Sequence, residues 1–99
     1  MELSQRIYNG DRAKEVLENE AFNAAFDDIE KEILNQWKQS PARDLEGREK
    51  LWLMLSLLGK VKLTLQSTLD TGKLATAELK HQRSLAERGR SAMSEFSRR

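Results

Sequence analysis

LEGREKLWLMLSLLGKVKLTLQSTLDTGKL, residues 45–74, can be read in two ways. Leu51, Leu53, Leu55 and Leu57 alternate, and so do Val61, Leu63 and Leu65, with Gly59-Lys60 between them. That alternation suits a β-hairpin closed by a Gly-X turn. The composition opposes it, because leucine and methionine favour helix and Val61 and Thr64 are almost the only β-branched residues there. A helical stripe, Leu51, Met54, Leu55, Leu58, Val61, Leu65 and Leu69, also runs unbroken through both halves of the supposed hairpin. We therefore read Asp44–Leu69 as one helix.

Such a helix carries more apolar residues than one face holds. The main stripe spans about 160°, with Leu57 at its edge, while Trp52, Leu53 and Leu63 lie well round from its centre. A helix apolar on nearly all sides must be covered on nearly all sides. The N-terminal helix or the C-terminal segment could supply the second cover, or a second copy of the chain could, through a Trp52/Leu53/Leu63 interface. A chain of this size with two long helices is poorly equipped to hide that surface alone, which favours a homo-oligomer.

Upstream, Glu20–Gln39 has the cleanest periodicity in the chain. Phe22, Ala25, Phe26, Ile29, Ile33 and Trp37 form a stripe about 120° wide, opposite Asp27, Asp28, Glu30, Lys31, Glu32, Asn35 and Lys38. Lys31 is spaced to pair with Asp27 and Asp28 across the helix surface. Ser40-Pro41 ends this helix, since proline cannot continue the ladder and pushes Ser40 out of the helical region. The next helix restarts either with Ser40 as N-cap and Pro41 at the first position, or with Asp44 as N-cap. Either way the connection is short, so the expected core is a long antiparallel helical hairpin.

At the start of the chain, Asn9-Gly10 reads as a turn or C-cap and Asp11 as an N-cap, opening a short helix over Arg12–Glu18. Asn19 marks a break or bend before Glu20. At the other end, Asp70-Thr71-Gly72 is expected to stop or bend the long helix, with a turn or two beyond it around Leu74–Leu79. Only Leu85, Met93 and Phe96 are large and apolar after Lys80, so the end reads as weakly structured. The expected organisation is all-α, a helical domain over 1–79 and a basic, mobile tail over 80–99.

The chain has 99 residues, a formal net charge of +1 and no cysteine. Near-neutrality conceals an asymmetry: residues 1–72 hold 10 Lys/Arg against 13 Asp/Glu, and residues 73–99 hold 7 against 3. The basic end could meet phosphate through Arg83, Arg88, Arg90, Arg98 and Arg99, though only Phe96 offers a ring for stacking. Residues 12–39 mimic two helices of a helix-turn-helix, but their acidic faces oppose DNA. The absence of cysteine excludes disulfides, thiolate catalysis and sulfur-liganded zinc. His81 is the only histidine and sits between Lys80 and Gln82, without a partner for metal binding or general-base work. Five glycines scattered at 10, 47, 59, 72 and 89 make no phosphate-cradling loop. Neither catalysis nor a cofactor is expected. The longest uncharged apolar run, Leu51 to Gly59, is far short of the ~20 residues a membrane span needs. The N-terminus lacks the order of a secretory signal, so an intracellular place is expected. Trp37 and Trp52 lie toward the loop end of the hairpin, as core filler or as the anchor for a partner.

Arg12-Ala13-Lys14-Glu15-Val16-Leu17-Glu18-Asn19-Glu20-Ala21-Phe22, Ala25-Phe26, Trp37, Asp44, Arg48-Glu49-Lys50-Leu51-Trp52 and Thr71-Gly72-Lys73-Leu74 carry a resemblance. Over residues 12–79 the chain resembles small helical proteins of tailed bacteriophages and prophages, often encoded near head and packaging genes. The resemblance implies a phage protein of the host cytoplasm or virion, acting by protein–protein association in assembly or against a host protein. A DNA-binding packaging factor using the basic tail is the alternative. It carries over no functional residues.

Overall fold

In the computed structural model the chain forms three helices: α1, Leu3–Leu17; α2, Glu20–Gln39; and α3, Leu45–Ser97. Residues 2–97 are described, with side chains from 2 to 93, and no strand occurs among them. The hairpin reading of residues 51–65 is thereby excluded. Three threonines of α3 fit the helix by turning their hydroxyls onto the preceding turn. Thr64 Oγ1 donates to Lys60 O at 2.8 Å, Thr68 to Thr64 at 3.0 Å and Thr76 to Gly72 at 3.0 Å.

The break at Asn19 is built from two asparagines. The Asn19 side chain accepts from the Phe22 amide at 2.9 Å and so caps α2. Asn23 Nδ2 reaches back to the Leu17 carbonyl at 2.8 Å, satisfying an acceptor that the end of α1 leaves open. α2 has the bounds its periodicity indicates, and it ends at Ser40, whose backbone is extended as a residue before proline requires. Ser40 Oγ donates to the Trp37 carbonyl at 2.6 Å. Of the two restarts, Asp44 prevails: its Oδ1 accepts from the Gly47 amide at 3.1 Å. A Cβ on residue 47 would meet only that carboxylate, the mobile end of the Asp44 side chain.

Three expectations are corrected. Asn9-Gly10-Asp11 is neither turn nor cap but the middle of α1, which begins at Leu3 rather than Arg12. Asp70-Thr71-Gly72 does not interrupt α3. The third is the weakly structured tail, which continues α3 as helix through residues 80–97 and crosses the 79/80 boundary without a break. One contact explains the first two. Gly10 and Gly72 face each other where α1 lies on α3, so close that a Cβ on either would stand 2.8 Å from the other's Cα. Both glycines are buried. They are there to let two backbones meet.

Packing is concentrated around that contact. α1 has the most extensive contact with α3, α2 rather less, and α1 and α2 hardly touch. Among the described residues the buried apolar side chains are Ala13, Phe26, Ile33 and Ala75. The Phe22 and Phe26 rings meet at a tilt of 43° with centroids 5.2 Å apart, and Lys62 Nζ lies 4.7 Å from the Phe26 ring centre. The covered stripe of α3 is Leu51, Leu55, Leu58, Leu65 and Leu69, whereas Met54 and Val61 stay exposed. On α2, Ala25 and Ile29 are likewise left outside the contact. Among the described residues Lys31 pairs with neither Asp27 nor Asp28; ion pairs instead join Arg12 to Glu15, Lys14 to Glu18 and Lys50 to Glu46. All three are solvent-exposed and contribute little.

Candidate interaction surface

The exposed side of α3 between Leu45 and Leu74 is unusually apolar. Large side chains at Leu45, Trp52, Leu53, Met54, Leu57, Val61, Leu63 and Leu74 all lie open to solvent. Helical periodicity divides the densest part into two flanks on either side of the covered stripe. Leu53, Leu57, Val61 and Met54 occupy one; Trp52 and Leu63 occupy the other, with Ser56 and Gly59 between them.

Of the four residues singled out for an interface, the structure brings two together across helices. Trp37 and Trp52 line one open apolar notch with Ile33, Leu34, Leu51 and Leu55. Trp37 is half-buried and carries the Arg48 guanidinium over its ring, 3.8 Å from the centroid. Trp52 is 59% exposed and Leu63 69%. These two share a flank, so they can meet one partner together. Leu53 lies about a quarter-turn away, on the flank that forms a shallow groove with Leu57, Lys60, Val61, Thr64 and Leu65.

Arg83 and Arg90, seven residues apart, lie on one side of the far end of α3, but Glu87 falls between them. Arg88 points away from both and borders a shallow depression with Ser84, Glu87, Ser91 and Ala92. Arg98 and Arg99 lie outside the described residues. His81 is exposed. Among the described residues no group of three or more His, Cys, Asp or Glu is placed to hold a metal ion. No helix among them is long and apolar enough to cross a membrane.

Sequence reading missed Arg48 on Trp37, Lys62 on Phe26 and the pairing of Gly10 with Gly72. Arg48 had a signal, standing eleven residues after Trp37 across a short loop. The glycine pair had none, being separated by most of the chain. The chain matches no family model, no curated protein and no solved structure.

Proposed function

We propose that this is a non-catalytic phage protein that works by protein–protein association, built first on self-association along α3. The observation that carries the reading is the imbalance between core and surface. Among the described residues only Ala13, Phe26, Ile33 and Ala75 are buried apolar side chains, two of them alanines, while most large apolar residues of α3 face solvent. Exposed patches of this extent mark interaction sites.

The hairpin supports this arrangement. Contacts on α3 fall in number as α1 and α2 rise: Gly72 with Gly10, Lys62 with Phe26, Arg48 with Trp37. That order supports α2 lying antiparallel to α3, which leaves the other faces of α3 for a partner. The phage setting, in virion or host cytoplasm, rests on the resemblance over residues 12–79.

Light scattering tests the core of this reading. The full chain should run above monomer mass at micromolar concentration, and Leu53→Glu with Leu63→Glu should reduce it to monomer without loss of helical circular dichroism. A wild-type protein that stays a folded monomer would overturn it.

A further inference from the structure

Resting on that reading, we infer that a second copy docks through the Trp52–Ser56–Gly59–Leu63 flank of α3. The two α3 helices then run antiparallel about a two-fold axis that passes between Leu57 and Leu58.

Gly59 is the first ground. It sits in the interior of a long helix, exposed, and a Cβ built on it meets nothing within 4 Å. Glycine is a poor helix former there, and no contact inside the chain calls for it. Gly10 and Gly72 show that a helical glycine can serve a backbone approach in this protein, while Gly89 is as open as Gly59, so what distinguishes Gly59 is its place between Trp52 and Leu63 on one apolar flank. A second α3 passing over Gly59 would give it the same purpose.

The order of side chains supplies the second ground. Trp52, Ser56, Gly59 and Leu63 are spaced four, three and four apart, the spacing of a helix–helix seam. Their sizes run large, small, small, large. A two-fold axis between Leu57 and Leu58 sets Ser56 against Gly59 of the other copy and Trp52 against its Leu63. The small pair lets the backbones close at the centre, and the large pairs seal both ends. Trp52 also borders the apolar notch with Leu34 and Trp37, so the opposing Leu63 would cover it.

Charge chooses between the two directions. The next seam positions outward are Glu49 and Gln66, then Leu45 and Asp70, all exposed. In the antiparallel register Glu49 meets Gln66 and Leu45 meets Asp70. A parallel register would set Glu49 against Glu49 and Asp70 against Asp70, which repel.

Surface area is sufficient. The chain exposes 8229 Å². A compact monomer of 11.4 kDa exposes about 5,800 Å². The excess, roughly 2,400 Å², is spread along the whole elongated chain and is larger than the ~800 Å² that each partner of a standard interface buries.

The native chain has no cysteine, so single cysteines report the register directly. Full-length Glu49→Cys and Gln66→Cys proteins, oxidised mildly, should form few disulfide dimers alone. A 1:1 mixture should form the mixed dimer, resolved by its mass. Gly59→Leu should weaken association at least tenfold in a dilution series while leaving the ellipticity at 222 nm intact. Three results overturn the inference: Glu49→Cys linking to itself, no mixed dimer from an oligomeric mixture, or unchanged association of Gly59→Leu. An oligomer with either of the last two results leaves self-association standing and moves it to another face. A wild-type monomer removes both.

Discussion

Single residues set where these helices can meet. A Cβ at position 72 would reach 2.8 Å from the Gly10 Cα and 3.1 Å from the Arg6 carbonyl oxygen, both backbone atoms that cannot rotate away. Alanine would gain about 1 kcal/mol in helix propensity. Forcing the two backbones apart costs about 1–3 kcal/mol, as overpacking of a close contact does. We therefore predict that Gly72→Ala lowers the urea midpoint, measured at fixed protein concentration. Gly89→Ala, where nothing lies within 4 Å, should instead increase helical ellipticity without moving that midpoint. Position decides the sign of one and the same substitution. Caps are the other residue-scale device. Asn19→Ala removes the acceptor for the Phe22 amide and should cost about 1 kcal/mol, with Asn19→Gly costing only a few tenths.

At the scale of the element, α2 is held by a narrow line of contacts. Phe26 and Ile33 are its buried residues, with Phe22 and Trp37 half-buried at the ends. Ile33→Ala should destabilise the protein by about 2–5 kcal/mol, whereas the same change at the exposed Ile29 should cost well under 1 kcal/mol in the monomer. Chemical denaturation of the two variants checks the difference. Local pattern made α2 readable to the residue, because its periodicity, its N-cap and its terminating proline all agree. The pattern failed at Gly10 and Gly72 for a physical reason. Glycine is punctuation where a helix ends and a spacer where helices touch, and only the partner across the contact tells the two apart. The stripe of α3 was legible as apolar, but which leucines α2 would cover was not.

As a whole molecule the chain is elongated. Its radius of gyration is 23.3 Å and its extents are 85 × 25 × 16 Å. A compact domain of about 100 residues has a radius near 13 Å. The longest dimension matches α3, 53 residues at 1.5 Å each, or about 80 Å. Over residues 80–93 every side chain but the half-buried Ser84 is exposed, and an isolated helical segment is marginal in water. The proposed association along α3 would add stability by mass action. The thermal midpoint should therefore rise with protein concentration, by several degrees over a hundredfold range in calorimetry. A midpoint independent of concentration would place all the stability within one chain.

By itself the sequence determined the all-helical class, α2 with both of its ends, the break at Asn19 and the excess of apolar surface on α3. These follow from side-chain period, capping chemistry and proline geometry, which act over a few residues. Only the tertiary structure decided that α1 and α3 run straight through Gly10 and Gly72. It also decided that Trp37 and Trp52 share a notch, and that Gly59 faces no neighbour. Each depends on residues far apart in the chain being brought to within a few ångströms, and no local pattern encodes a distance between helices.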